Sequence, residues 1–316
     1  MNDPAAESEP LLCAGAPSAE PVIEALPVHA SIVGDDMAVR RALPNKLRRR
    51  VGAWTFLDHY GPVTLTEKSR GMRVGPHPHI GLQTVSWLYA GEVLHRDSLG
   101  FKQLIRPGQL NLMTAGNGIS HSEETPCPHA PDIHGLQFWI ALPETRRHGE
   151  PVFDHYPQLP VMQRDGMRLT LVVGAGLGER SPARVYSPLT AFDVELGDSG
   201  THMLPLDPGF EHAMLVIGGE LSVEGKAMKL SALYYLGCGR ERITLANDKP
   251  ARAFLLGGVP FGEDVLLWWN FAARNTVEMA AARADWETHA ARFGEVRGYD
   301  GPRLTAPELG TRLKTR

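Results

Sequence analysis

The sequence predicts an all-β protein made of two β-domains in tandem, with one short helix near its C-terminal end. Three observations carry this. The 316 residues include Gly 33 and Pro 25, which favours many short strands joined by turns over a helical bundle. From about Ile32, short apolar runs are punctuated by Gly, Pro, Asp and Asn, and strands at such regular spacing build sandwiches or barrels. The strand signals also pause at a Pro-rich, charged stretch and then resume.

Residues 1–28 are rich in Ala, Pro, Glu and Ser and read as a disordered N-terminal extension. Residues 29–145 read as the first β-domain. Within it, Gln83–Tyr89 alternates, with Val85, Trp87 and Tyr89 on one face and Thr84, Ser86 and Leu88 on the other, the period of a half-buried strand. Residues 146–168, with Pro151, Pro157 and Pro160 among charges, read as a linker. Residues 169–296 read as the second β-domain, with strand signals such as Ala191–Leu196, His212–Ile217 and Ala253–Leu256. A helix is expected over about 276–293. Asn275-Thr276-Val277-Glu278 resembles a capping box, and Val277, Ala280, Ala281, Ala284 and Ala291 recur at helical spacing. Residues 297–316 read as a tail.

Net charge is −4, so the chain has no overall basic footprint for nucleic acid, and direct nucleic-acid binding is not expected. The local run Arg40, Arg41, Lys46, Arg48, Arg49 and Arg50 reads as a solvated face or a source of inter-domain ion pairs. Cys13, Cys127 and Cys238 are scattered and form no CxxC pair, which fits a reducing cytoplasm. The N-terminus lacks a positive n-region and an apolar h-region, and no apolar run reaches membrane-spanning length, so neither a secretory signal nor a transmembrane helix is expected.

The chemistry lies in two short pairs, His77-Pro78-His79 and His121-Ser122-Glu123. Residues i and i+2 of a strand point to one face. Two such strands facing each other converge three imidazoles and a carboxylate, a set suited to Fe(II), Mn, Ni, Cu or Zn. Gly71, Gly91, Gly108, Gly116 and Gly118 surround the pairs and permit hairpin corners. Met113 and Phe138 are candidate apolar neighbours lining the site. Asp58, His59, His95 and Asp97 are candidate pocket groups, against a competing reading as turn and strand-end hydrogen-bonding residues. Trp268 and Trp269 suit core or inter-domain packing. Cys127, between two prolines, is not expected to ligate.

The spacing Gly71, five residues, His77-Pro78-His79 matches the first half of the cupin motif G(X)5HXH(X)3,4E(X)6G. The longer strings HPHIG (77–81), HRDSLG (95–100), MTAGNGISHSE (113–123), HGLQFW (134–139) and WWN (268–270) resemble the pirin family over about residues 35–296. The resemblance implies two jelly-roll-like cupin β-barrels side by side, with metal in the N-terminal barrel only. It carries the metal ligands to His77, His79, His121 and Glu123. Iron as Fe(II) is the usual metal; Mn, Ni, Co, Cu or Zn remain open. One departure stands at Gln83, where pirins commonly carry Glu. Since Glu123 supplies the carboxylate, Gln83 is expected outside the ligand set, as a hydrogen-bonding group behind it. The second half holds no HXH pair; His202 and His212 stand alone there and read as structural.

Bacterial pirins with this motif resemble quercetin 2,3-dioxygenases. The resemblance thus implies a small-molecule, flavonol-like substrate and O2, with Glu123 as the catalytic base. The competing implication is an iron-dependent regulatory protein that binds a transcription factor or metabolic enzyme.

Overall fold

The computed structural model describes residues 9–15, 17–66 and 69–310. The first barrel pairs a seven-stranded sheet with a four-stranded one. In spatial order the large sheet runs Val152–Tyr156, Leu110–Thr114, Leu82–Ala90, Asp132–Ala141, Trp54–Thr64, Met37–Leu43, His29–Val33. The small sheet runs Arg73–His79, Ile119–Glu124, Val93–Asp97, Lys102–Ile105. The second barrel repeats the plan. Its large sheet centres on Met167–Gly176, Leu189–Leu196, Ala251–Gly258, Glu211–Gly218 and Ala232–Gly237; its small sheet is built on Gly200–Pro205 and Arg242–Asn247. All named strand pairs are antiparallel.

Strand alternation decides which apolar residues fill the barrels and which join them. In Ala251–Gly258, Ala253 and Leu255 belong to the interior of the second barrel, while Phe254 and Leu256 belong to a cluster shared by both barrels. Phe138 of the first barrel meets Phe254 there, 4.8 Å between ring centroids, and Trp54 packs edge-on to Phe138. The Trp54 indole also donates to the Gly257 carbonyl at 3.0 Å. The two large sheets are therefore back to back, and each barrel keeps its own separate interior.

Several sequence expectations change. Far from being a disordered extension, the described part of residues 1–28 is built into the second half of the chain. Leu11–Cys13 pairs with Val265–Trp268, and Glu24–Pro27 extends the second barrel's large sheet beside Ala232–Gly237. Leu26 and Cys13 are fully buried; the apolar trio Leu11-Leu12-Cys13 is too short to show a period, so its strand was invisible in the sequence. Residues 1–8 and 16 lie outside the described residues.

The 146–168 stretch is less a linker than the margins of both barrels. Val152–Tyr156 closes one edge of the first large sheet and Val161–Arg164 opens the second. Residues 297–310 are not a loose tail either. Ala306 is buried, and the Leu304 amide donates to the Pro76 carbonyl at 2.8 Å. Residues 311–316 lie outside the described residues.

The helix runs Thr276–Glu287, and a 3-10 turn follows at Ala291–Phe293. Asn275 caps it, accepting from the Glu278 amide at 2.9 Å. The return bond from Glu278 goes to the Arg274 amide rather than to Asn275. Its buried face is Met279, Ala282 and Trp286, while Val277 is 78% exposed. The alanine spacing pointed at the wrong face because the bulkier Met279 and Trp286 determine which side docks on Trp269 and Phe293. Trp268 and Trp269 pack in that same cluster.

The basic run is largely absorbed internally. Arg50 donates to the Cys13, Gly52 and Phe261 carbonyls, Arg48 pairs with Glu24 and lies over Tyr235, and Arg41 pairs with Asp58. No helix of the described residues is long and apolar enough to cross a membrane.

Because burial of one Leu contributes about 1.5–3 kcal/mol, deleting residues 1–28 is expected to lower the thermal midpoint by several degrees. A midpoint equal to that of the full chain would show that the N-terminal strands do not support the fold.

Candidate metal centre

His77 and His79 lie on Arg73–His79, and His121 and Glu123 on Ile119–Glu124. The two strands are hydrogen-bonded neighbours in one sheet, not strands facing across the barrel. The register puts His121 opposite His77 and Ile119 opposite His79. Directly opposed residues of an antiparallel pair share a face, so all three imidazoles enter the barrel interior. His77 and His121 ring centroids are 4.3 Å apart, and His79 lies 5.0 Å from each. One ligand atom from each lies within 4.8 Å of the other two.

Between His121 and Glu123 the ladder slips, and Glu123 pairs with Val74. The extra residue falls at Gly75-Pro76, a bulge on an edge strand, where proline's missing N–H costs no ladder bond. The bulge aims the Gly75 carbonyl at His77 Nδ1, 2.8 Å away. His79 Nδ1 is likewise 2.8 Å from the Asn270 carbonyl. A carbonyl only accepts, so both Nδ1 atoms carry the proton and both Nε2 atoms present a lone pair.

The third ring is set through a relay. His95 Nε2 is 3.1 Å from Asp97 Oδ2, and His95 Nδ1 is 3.3 Å from His121 Nδ1. Asp97 accepts from His95 Nε2–H, leaving His95 Nδ1 to accept from His121. The His121 Nε2 lone pair then joins the other two, and His79 and His121 Nε2 atoms lie 3.0 Å apart. Lone pairs that close repel unless a proton or cation sits between them, and three such nitrogens are a donor set for a divalent transition metal.

Burial sets the protonation states. It pushes His77 down to about 4, against the Gly75 carbonyl, and holds His79 and His121 well below the usual histidine range. All three are neutral at pH 7, as ligation requires. Burial raises the Glu123 carboxyl, with His95 and the Ser86 hydroxyl pulling the other way. Glu123 groups most closely with His121 and His95, and its Oε1 lies 3.2 Å from Ser86 Oγ. Ser86 Oγ is also 2.8 Å from Gln137 Oε1. One hydroxyl proton serves both acceptors: ionised Glu123 takes it, and protonated Glu123 donates back and releases it to Gln137.

Above these residues is a cavity of about 60 Å³, mostly apolar, bordered by Val39, Phe56, Met72, Trp139 and Leu304. Phe56 and Trp139 stack at 4.1 Å, with the Arg41 guanidinium over the far ring. Asp58 lines the wall and accepts two bonds from Arg41, at 2.8 and 2.7 Å.

Four candidates lie elsewhere. Gln83 donates to Thr114 and to the Arg184 carbonyl of the second barrel, so it stands behind no ligand. Met113 and Phe138 belong to the inter-barrel core; along Asp132–Ala141 it is Gln137 and Trp139 that face the cavity. His59 pairs with His134, Nε2 to Nε2 at 2.7 Å, instead of lining it. Ser86, Gln137, Asn270 and Leu304 went unrecognised. Alternation alone could have placed Ser86 and Gln137, but Asn270 acts through its backbone and Leu304 arrives from the distant C-terminal segment. Cys127 is exposed, and no metal-ligating cluster among the described residues includes it.

Residues 36–140 match the Pirin family model and residues 191–294 the Pirin C-terminal cupin domain. The chain belongs to the pirin family. Among pirin relatives, a Pseudomonas aeruginosa protein named "Putative quercetin 2,3-dioxygenase" is 47% identical over 92% of this chain and 91% of its own. A "Pirin-like protein" of Caulobacter vibrioides is 36% identical over 79% of this chain and 88% of its own. The crystal structure of a quercetin 2,3-dioxygenase from Acinetobacter baumannii matches with a TM-score of 0.89 at 43% identity, covering 92% of this chain and 96% of that one. The two cupin barrels expected from the sequence are thus those of a pirin.

Replacing His121 with Ala is expected to abolish bound metal, measured by elemental analysis, whereas Gln83→Ala keeps it; metal loss in Gln83→Ala would contradict its placement. A second outcome concerns acid stability. Burial pushes His59 to about 2 and His134 to about 4. The unfolded chain binds these protons near pH 6.5 and the folded chain does not. Stability is therefore full above about 6.5 and falls as pH drops toward 4. Thermal midpoints between pH 7 and 5 are expected to fall less steeply in His134→Asn.

Proposed function

We propose that this protein is a metal-dependent dioxygenase that opens the ring of quercetin-type flavonols with O2 and releases CO. One observation carries the proposal: three imidazole lone pairs, fixed by hydrogen bonds on their far nitrogens, converge beside a buried carboxylate under an apolar cavity. The names of the Pseudomonas and Acinetobacter relatives support the substrate class.

His77, His79 and His121 would hold the metal, most simply iron(II), with Glu123 as fourth ligand; Mn, Ni, Co, Cu and Zn suit the same donors. When bound, the metal supplies Lewis acidity toward the flavonol 3-hydroxyl and a meeting point for O2. The chain does the rest. Glu123 takes the 3-hydroxyl proton, helped by the burial that raises its affinity for it. Ser86 follows the transfer, donating to Glu123 before and to Gln137 after. Trp139, backed by Phe56, gives the flavonol rings an aromatic wall.

The cavity of about 60 Å³ holds O2 but not a three-ring flavonol, so a flavonol enters only when the cover moves. Leu304 is that cover, tied to Pro76 through its amide and to Trp286 through its carbonyl. The small cavity also favours a second reading, an iron-dependent regulatory protein whose metal oxidation state alters a protein-binding surface.

Metal-loaded protein is expected to consume O2 with quercetin and bleach its absorption. Glu123→Gln should lower kcat by roughly 10²–10⁴, and Ser86→Ala by about tenfold, one hydrogen bond's worth. No turnover with Fe, Mn, Ni, Co or Cu would sink the dioxygenase and leave the regulatory reading, which ferric-specific recovery of one partner would support. Leu304→Ala is expected to lower KM for quercetin several-fold in a steady-state assay; an unchanged KM would show that the segment does not gate entry.

A further inference from the structure

A cavity larger than the one beside the metal centre lies in the other barrel. About 470 Å³ opens among Thr190, Phe192, Phe210, His212 and Leu255. The register explains its chemistry. Thr190 and His212 sit on strands flanking Ala251–Gly258, and both pair with Gly257. Residues opposite one another share a face, so the hydroxyl and the imidazole stand side by side with no side chain between them. A Cβ at Gly257 would lie 2.6 Å from the His212 ring, and one at Gly176 would meet the Phe192 ring at 2.9 Å. Glycine at both positions makes room for these two rings on the cavity wall.

Both polar groups are buried, Thr190 at 5% and His212 at 1% exposure. Thr190 Oγ1 has no hydrogen-bond partner, whereas the Phe210 backbone bonds the His212 ring. The second barrel's other lone histidine, His202, is tied on both nitrogens, to the Asp165 carbonyl and to Asn247. An unpaired buried polar atom costs about 1–3 kcal/mol, so the Thr190 hydroxyl marks a place where a partner is missing. Burial pushes His212 down to about 4, against the pull of Asp207 and the Phe210 backbone, so the ring is uncharged at neutral pH. Arg164 and Asp207 bring one charge of each sign to the mouth, which favours a neutral ligand.

We propose that the second barrel is a binding site for a neutral hydroxylated aromatic compound, its ring packed between Phe192 and Phe210 and its hydroxyl bonded to Thr190 Oγ1. A phenolic O–H both donates and accepts, so it suits a threonine hydroxyl in either role. Among the described residues no metal-ligating cluster lies here; the site binds without a metal and is independent of the reaction proposed for the first barrel.

The test is isothermal titration of the metal-loaded full chain with 2-naphthol, naphthalene and 2-naphthoate. One equivalent of 2-naphthol is expected to bind, with naphthalene and 2-naphthoate each at least about tenfold weaker, a factor that corresponds to one well-placed hydrogen bond. Thr190→Val, close to isosteric, should weaken 2-naphthol about tenfold and leave naphthalene unchanged. Leu177→Trp, at the mouth, should exclude both. His121→Ala, in the first barrel, should leave 2-naphthol binding intact. The proposal is overturned if no saturable binding occurs, if folded Thr190→Val and Leu177→Trp both bind as the parent does, or if His121→Ala removes the binding, which would place the probe in the first barrel.

Discussion

The pairing of His77 with His121 across two antiparallel strands is the constraint on which the rest of the metal centre depends. A shift of one residue would turn one histidine out of the barrel and put Pro78 or Ser120 in its place. The bulge at Gly75-Pro76 protects that register locally: it takes up the extra residue on the Glu123 side and yields a carbonyl for His77. Asn270 does the same for His79 from another sheet, so the Trp-rich cluster around the helix helps orient a ligand it does not touch.

How much of this was legible in sequence follows from the range of the interactions. The ligand pairs were legible because period-2 alternation is local, and the barrels because turns and alternation repeat along the chain. Gln83, Met113 and Phe138 were misplaced because a strand's two faces look alike in sequence when both are buried. One face of Asp132–Ala141 enters the cavity through Gln137 and Trp139, and the other enters the inter-barrel core through Phe138. Residues 11–13, 24–27 and 302–306 were lost for a different reason. Their partners are Val265–Trp268, Ala232–Gly237 and the Gly75-Pro76 bulge, and no local pattern announces a partner so distant.

The two barrels share a plan and differ in what fills them. The first uses its interior polar groups in a continuous network: Asp97, His95 and His121 on one side, Ser86, Gln137 and Glu123 on the other. The second leaves the Thr190 hydroxyl without a partner. No metal-ligating cluster lies there among the described residues; bulky residues pack much of its interior, and a cavity remains.

The N-terminal strands also constrain biogenesis. Among the described strands Leu11–Cys13 and Glu24–Pro27 are made before all others, yet their partners are residues 265–268 and 232–237. At roughly 5–20 residues per second, these apolar edges wait tens of seconds before pairing. The first barrel can assemble in that interval; the second cannot complete its sheet until the chain is nearly finished. This favours chaperone cover during synthesis, and it disfavours bulky fusions at the N-terminus, which would have to follow the segment to the far side of the molecule.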